Sequence, residues 1–266
     1  MIAGVLSTEQ SGYYRFFGQA EIKMTEFNIK LAGFPIRVHA IHESTKNFCH
    51  DYLTDEPSET VLTITQEEID RTRRESVAGD IFEGREPVSH RDRYLETLTL
   101  LRMAADALLD HGVLLFHGSV TAVDGKAYLF TAKSGTGKTT HSGLWLKNIP
   151  GAYILNGDKP FLLFKDDGIF ACGNPWQGKE NYGRNEILPL AAICILERDE
   201  TNHIEPVTFK EAFEVLAFQS HKPPQDGRMV SYINLLGRIC SLPLYRLGCN
   251  MDDEAAFVSY RGMVTS

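Results

Sequence analysis

The pattern of hydrophobic and polar positions in the first third of the chain predicts short strands and one polar helix. Residues 27–41, FNIKLAGFPIRVHAI, predict two strands that meet at Gly33. Residues 59–75 predict a strand that leads into a polar helix. Residues 76–92 are charged and contain Gly and Pro, so we expect a loop or a domain boundary there.

The next segment predicts a helix followed by a hairpin. Leucine and alanine recur at helical spacing from Tyr94 to Asp110, and Gly112 ends the pattern. Three strand-like runs follow, VLLFHG, SVTAVDG and KAYLFTA, and the dipeptide Asp124-Gly125 between the last two is a hairpin signal.

The remaining chain alternates between strands and helices. Further strands are predicted in YILNGDKPFLLF, DGIFACGNPW, LAAICILER and PLYRL, with helices near 210–221, near 226–240 and after Asp252. The fold class expected is therefore α/β with a mixed sheet. We expect a polar N-terminal tail over 1–23, a small N-terminal α/β lobe over 24–92 and a larger domain over 93–266.

Composition and charge narrow the classes of function. The 266 residues are 43% hydrophobic and 23% charged, which is typical of a globular protein. The net charge of −8 disfavours nucleic acid as a partner, because such binding uses a basic face. No apolar run approaches the roughly 20 residues that span a bilayer, so we expect no membrane partner and a cytoplasmic location.

Cysteine and histidine give no metal pattern. The five cysteines form no CxxC pair and are odd in number, so they are interpreted as reduced core thiols: Cys49, Cys172, Cys194, Cys240 and Cys249. His39 and His42 have no third ligand at metal-like spacing and are interpreted as structural.

Residues 130–145, FTAKSGTGKTTHSGLW, come close to the phosphate-binding pattern G-x-x-x-x-G-K-[ST]. Ala132 stands in place of the first glycine, while Gly137, Lys138 and Thr139 match. A glycine-rich turn between a strand and a helix forms an anion cradle from backbone N–H groups. We therefore expect phosphate binding, with Lys138 on the terminal phosphates and Thr139 on Mg²⁺. A surface turn is the alternative.

A phosphate loop also needs an acidic partner, either to hold the metal or to activate the attacking group. Asp158, in LNGDKP, follows the next predicted strand and is the candidate. Asp166 and Asp167 belong to a KDDG turn, which indicates a solvated hairpin tip.

The stretch HGSVTAVDGKAYLFTAKSGTGKTT followed by NGDKP resembles the kinase domain of HPr kinase/phosphorylase and the related nucleotide-binding core of phosphoenolpyruvate carboxykinase. The resemblance covers about residues 110–250 and is specific from 116 to 160. It implies a P-loop fold distinct from the common NTPases, with ATP and Mg²⁺ as cofactors and the acid near the phosphates serving the phosphoryl acceptor.

Residue by residue, the resemblance implies a nucleotide-binding loop made of Ser134, Gly135, Thr136, Gly137, Lys138, Thr139 and Thr140. His117 matches the histidine that stands near the acid. Asp158 matches the first of two paired acids, the base towards an acceptor hydroxyl and a metal ligand with Thr139. Lys159 stands where the family has its second acid.

The segment GNPWQGKENYGRNEILPL predicts a loop on the substrate side. Lys179 and Arg184 lie on this glycine-containing connection, where they could meet a second phosphate or the acceptor. A solvated loop with incidental charge is the alternative. Trp176 is interpreted as a packing anchor.

These sequence features are consistent with two alternative functions. The first is an ATP-dependent kinase whose acceptor is a hydroxyl, by resemblance serine in a protein, a peptide or free form. The second is a nucleotide-binding regulatory or scaffold protein in which Lys159 has abolished transfer. Because the loop recognises phosphates, the residues leave both ATP and pyrophosphate open as the donor.

Overall fold

The computed structural model describes residues 24–82, 84–133, 135–224 and 227–264; the predicted tail, residues 1–23, and Ser134 lie outside the described residues. The chain forms two compact units. Of the described residues, the first unit holds 24–29 and 35–100, and the second holds 30–34 and 101–264. The division falls inside a helix rather than at residue 92, and the predicted domain boundaries remain a prediction.

The first unit contains a three-stranded sheet and helices. Its elements are most of β1 (Thr25–Leu31) and of β2 (Phe34–Ala40), α1 (Glu43–Phe48), β3 (Val61–Thr63), α2 (Gln66–Phe82) and the start of α3 (Asp92–Leu108). The strand order is β1-β2-β3, and β2 runs parallel to β3.

The loop expected over 76–92 is wrong for its first part, because α2 continues to Phe82. The charges that suggested a loop are paired here. Asp80 is 9% exposed and lies 2.8 Å from the Arg85 guanidinium. The backbone N–H of Val88 donates to the same carboxylate over 3.2 Å, so the helix end is anchored.

A fully buried carboxylate connects α3 to the start of α1. Glu96 accepts hydrogen bonds from the backbone N–H of Ile41 at 2.5 Å and from the Thr45 hydroxyl at 2.6 Å. His42 Nδ1 lies 2.9 Å from the same carboxylate. His42 therefore has a structural partner, and no group of three or more His, Cys, Asp or Glu side chains that could hold a metal ion occurs among the described residues.

The second unit is built on one large sheet. Its strands are β4 (Val113–Leu115), β5 (Ser119–Val123), β6 (Lys126–Thr131), β7 (Tyr153–Asn156), β8 (Phe161–Lys165), β9 (Gly168–Cys172), β10 (Ile187–Arg198), β11 (His203–Pro206) and β12 (Leu244–Cys249). Its complete helices are α4 (Lys138–Asn148), α5 (Phe209–Gln219), α6 (Met229–Arg238) and α7 (Glu254–Val264). Strand β11 is an addition to the predicted elements.

The nine strands follow the order β4-β8-β9-β10-β6-β5-β7, with β12 beside β10 and β11 beside β12. Strand β10 is antiparallel to β9 at its start and parallel to β6 and β12 at its end. This pairing confirms the predicted mixed α/β class.

Helices cover both faces of the sheet around β6 and β10. Leu129 and Ile193 belong to a core on the side of α5 and α6. Phe130 and Cys194 point to the opposite core, which contains Trp145 of α4. Successive strand residues thus alternate between two buried faces, which explains the nearly continuous apolar sequences of these strands.

Two local predictions have different outcomes. Asp124 and Gly125 have φ of 51° and 73° and join β5 to β6, which confirms the predicted hairpin. All five cysteines are unpaired thiols, but Cys240 is exposed and Cys249 only half-buried. The expectation of core thiols is therefore wrong for Cys240, which lies in a short turn of helix after α6.

Among the residues that the structure describes, none of the helices combines the length and apolar content that crossing a membrane requires.

Candidate functional site

The glycine-rich loop, residues 132–137, connects β6 to α4 at the centre of the sheet. Gly135 and Gly137 have φ of 78° and 113°, a region that side chains with a Cβ rarely adopt. Ala132 is 1% exposed and directly follows β6. It is not among the described non-glycine residues with positive φ. The absent first glycine therefore creates no backbone strain.

The carbonyl group of Ala132 accepts two hydrogen bonds at the base of this loop. Lys138 Nζ donates over 3.2 Å, and Gln219 Nε2, at the end of α5, donates over 2.9 Å. The carbonyl of Gln219 in turn accepts the backbone N–H of His117 at 2.7 Å. Gln219 thus connects the loop to the segment that carries His117, a role that the sequence did not indicate.

Arg198 contacts the loop from the end of β10. Its Nη2 donates to the carbonyl oxygen of Gly135 over 2.6 Å. The sequence did not connect this arginine with the loop, which lies more than sixty positions away along the chain. The parallel pairing of β10 with β6 brings the two ends together.

His117 and Asp158 meet beside the loop, as the resemblance implied. Nε2 of His117 lies 3.3 Å from Oδ1 of Asp158, and both side chains are partly exposed. The backbone fixes this pair, because the N–H of Gly118 donates to the Asp158 carbonyl over 3.0 Å. The turn before β5 is thereby tied to the turn after β7.

The pair favours an ionised carboxylate and a neutral imidazole. Burial alone would raise the pKa of Asp158, but the hydrogen bond from His117 and the positive charges of Lys159 and Lys138 together hold that pKa below its usual value. Burial lowers the pKa of His117 below 6.5, although the contact with Asp158 opposes the shift. At neutral pH, His117 therefore donates its Nε2–H to the Asp158 carboxylate.

Two fully buried asparagines hold the turn that presents Asp158. Oδ1 of Asn156 accepts the backbone N–H groups of Asp158 at 3.0 Å and Lys159 at 2.8 Å. Asn174 Nδ2 donates to the carbonyl of Lys159 over 2.5 Å, and Asn174 Oδ1 accepts the N–H of Trp176 at 2.9 Å. The sequence signal was present in NGD and GNP, since Asn commonly bonds the backbone two residues on.

The segment 177–186 lies close against the ends of β7 and β9. A Cβ on Gly157 would collide with the carbonyl of Gln177, and one on Gly173 would collide with the carbonyl of Arg184. The two glycines therefore allow a close backbone approach. Trp176, just before this segment, is 6% exposed, in agreement with its interpretation as a packing anchor.

A first cavity of about 310 Å³ opens between the loop helix and this segment. Thr139, Asp158, Gln177, Lys179 and Tyr182 are among the residues that line it. Lys179 thus lies on the same cavity as the candidate acid and the candidate metal-binding threonine.

Arg184 is not among the residues lining that cavity. Its guanidinium lies over the Tyr153 ring at 3.8 Å and 3.8 Å from the Glu186 carboxylate. Burial, followed by the hydrogen bond to Glu186, raises the pKa of Tyr153 to about 12. Arg184 therefore packs at the outer side of β7, and its role in binding stays a prediction.

The donor set of the first cavity fits a hard cation. Thr139 offers a hydroxyl oxygen and Asp158 an ionised carboxylate, and Mg²⁺ prefers oxygen ligands, with phosphates and waters completing its shell. Asp166 and Asp167 lie in the turn between β8 and β9, which agrees with a hairpin tip.

Comparisons with known proteins find a likeness to solved structures. No family model matches the chain, and no curated protein matches its sequence. The solved structure of the HPr(Ser) kinase/phosphatase from Coxiella burnetii is similar over 57% of this chain and 97% of that chain, with a TM-score of 0.35 and 8% identity.

Proposed function

We propose that the protein is an ATP-dependent phosphotransferase that transfers a phosphoryl group to an acceptor hydroxyl. The observation that carries this proposal is the contact of His117 with Asp158, 3.3 Å apart beside a glycine-rich loop that ends in Lys138 and Thr139. An anion cradle and a carboxylate close to it are the two parts that this chemistry requires.

In the proposed reaction, Asp158 accepts the proton of the acceptor hydroxyl while the acceptor oxygen forms a bond to the γ-phosphorus. The bond from that phosphorus to the leaving β–γ bridging oxygen breaks, and ADP leaves. His117 orients the carboxylate through its Nε2–H. The Lys138 ammonium neutralises charge that develops on the phosphoryl oxygens.

Thr139 and Asp158 would hold Mg²⁺, which would neutralise phosphate charge when bound. The acceptor would enter through the first cavity, where Lys179 and Tyr182 lie opposite the loop helix. We expect a serine hydroxyl as the acceptor, in a protein, a peptide or the free amino acid. This choice rests on the family resemblance alone.

The experiment is to incubate the full chain with ATP and Mg²⁺ and offer free serine, a serine-bearing peptide or no acceptor. ADP and the phosphorylated product are then quantified. Acceptor-dependent ADP with matching phosphorylated product supports the proposal. No product with any acceptor, although ATP binds, supports a nucleotide-binding regulatory protein instead. Lys159, in place of a second acid, is the observation that favours this second function.

A further inference from the structure

A second cavity, of about 460 Å³, lies on the other side of the glycine-rich loop. Gly135, Thr136 and Gly137 contribute to its wall. Neither Asp158 nor Lys179, which line the first cavity, takes part in it. The loop therefore separates two cavities that do not share the candidate catalytic residues.

The strand order explains this arrangement. Strand β6, which feeds the loop, pairs with β5 on one side and with β10 on the other. The first cavity lies on the side of β5 and β7, where Asp158 follows β7. The second lies on the side of β10 and β12, and its wall includes Leu196, Arg198 and Cys249 from those strands. A ligand whose phosphates occupy the loop has one end towards each cavity.

The lining of the second cavity differs from that of a phosphate site. Leu196, Cys249 and Met251 offer apolar surface, and the planar guanidinium of Arg198 borders the loop. Arg and Met side chains both make favourable contacts with aromatic rings. An aromatic base is therefore better suited to this surface than a second phosphate group.

Asp199 places a negative charge on the same wall. Hydrogen bonds from the backbone and side chain of Thr201 lower the pKa of this carboxyl, so it is ionised and can only accept hydrogen bonds. A carboxylate next to an anion cradle repels phosphate but attracts hydroxyl donors. It therefore favours a neutral, hydroxyl-bearing part of the ligand.

His141, on α4, also lines the second cavity and is 2% exposed. Its Nε2 lies 3.0 Å from the Ser259 hydroxyl, whereas its Nδ1 is buried and has no hydrogen-bond partner within the described part of the chain. A buried polar atom without a partner is uncommon in a native protein. Because this nitrogen is closed off from solvent, the ring contributes to the wall of the second cavity without offering Nδ1 to a ligand.

We propose that the second cavity binds the nucleoside of the donor, with the base against Leu196 and Met251 and the ribose hydroxyls on Asp199. The inference rests on the proposed function, since it requires phosphates on the glycine-rich loop. It distinguishes a nucleoside triphosphate from pyrophosphate or another inorganic polyphosphate, because only the former would occupy both the loop and the cavity.

The test is calorimetric titration of the full chain, in Mg²⁺, with ATP and with inorganic tripolyphosphate. We expect ATP to bind roughly tenfold more tightly or better, the scale of one hydrogen bond to a charged group. Asp199→Ala and Asp199→Asn should remove most of this advantage, and their tripolyphosphate affinity should be unchanged or higher. The side-chain oxygen of the Asn variant can still accept the hydrogen bonds of Thr201. This variant therefore keeps the test valid if the Ala variant does not fold.

Asp166→Ala is the matched control, because it removes the same charge from the hairpin tip between β8 and β9 and should alter neither affinity. Equal affinity of the parent for ATP and tripolyphosphate overturns the nucleoside cavity but leaves the phosphate loop standing. Equal weakening of both ligands by the Asp199 variants also overturns it. Binding of neither ligand contradicts the proposed function itself.

Discussion

Asn156 donates from Nδ2 to Oδ1 of Asn174 over 3.1 Å, and both side chains are fully buried. This pair supports the turn that carries Asp158, because each side-chain amide also hydrogen-bonds the backbone of that turn. A polar pair without solvent is stable only while all of its bonds are made. The catalytic candidate therefore depends on two residues that do not touch the first cavity.

We expect Asn156→Ala to lower the free energy of unfolding by roughly 2–4 kcal/mol, since two backbone N–H groups and part of Asn174 lose their partner. Chemical denaturation measures the change. Asn47→Ala, at an exposed position in α1, is the control and should have little effect. An unfolding free energy equal to that of the parent would show that water replaces the amide.

Lys138→Ala should weaken binding of ATP and Mg²⁺ by roughly 1.5–3 kcal/mol, or at least about tenfold in Kd, the value of a hydrogen bond to a charged group. The glycine-rich loop should keep its conformation, because Gln219 still donates to the Ala132 carbonyl. Titration calorimetry measures the affinity. Lys126→Ala, at the exposed start of β6, removes the same charge and should bind as the parent does. Unchanged affinity in Lys138→Ala would rule out the ammonium as a phosphate ligand.

Asp158→Asn should preserve nucleotide affinity within a few-fold and reduce phosphoryl transfer by about 10²–10⁴, the scale of general base catalysis. Single-turnover rates and nucleotide titration separate the two effects. Asp167→Asn, at the hairpin tip, is the isosteric control. Intact turnover in Asp158→Asn would show that Asp158 is not the base. A parallel fall in Mg²⁺-nucleotide affinity would make Asp158 chiefly a metal ligand.

Lys159→Asp should strengthen Mg²⁺ binding, because it replaces a cation beside Asp158 with a second carboxylate. The same change removes a positive charge that lowers the pKa of Asp158, so that pKa should rise. Mg²⁺ titration at fixed nucleotide measures the first effect, and the acid limb of the rate profile measures the second. Weaker Mg²⁺ binding would contradict the assignment of this edge of the cavity to the metal.

The buried imidazole of His141 should make the free energy of unfolding depend on pH. Burial lowers its pKa from 6.5 to about 4, so between these pH values the unfolded chain binds a proton that the folded chain does not. The contribution is complete above pH 6.5 and declines as the pH falls towards 4, by roughly 3 kcal/mol in total.

His141→Gln should therefore show a flatter loss of stability between pH 6.5 and 4 than the parent, as measured by urea denaturation at several pH values. His50→Gln, an exposed histidine in the first unit, should keep the slope of the parent. An unchanged slope in His141→Gln would mean that its ring takes up a proton while the protein is folded.

The sequence predicted those parts of the site that depend on local order. The strand, glycine-rich loop and helix around Lys138 are contiguous, so their periodicity and glycines are enough to predict them. The meeting of His117 with Asp158 came from the family resemblance, since no spacing rule joins a turn before β5 to a turn after β7. The fold class followed from alternating apolar runs in the same way.

Arg198 and Gln219 were missed for a physical reason. Each reaches the loop from the end of a distant element, and the contact exists only because β10 pairs with β6 and α5 returns beside the loop. The sequence predicted too early an end for helix α2, because the composition of the segment does not show that Asp80 pairs with Arg85. Such contacts are a property of the tertiary fold.

The parallel pairing of β6 with β10, and of β10 with β12, has a consequence for synthesis on the ribosome. The loop strand emerges early, but its parallel neighbour follows only after β7, β8 and β9, and β12 emerges still later. Long-range parallel pairs close large loops and form slowly. A nascent chain that ends before β12 carries the glycine-rich loop without the wall that completes the second cavity. A nucleotide would therefore stabilise the chain only after β12 has been synthesised and the second unit has folded.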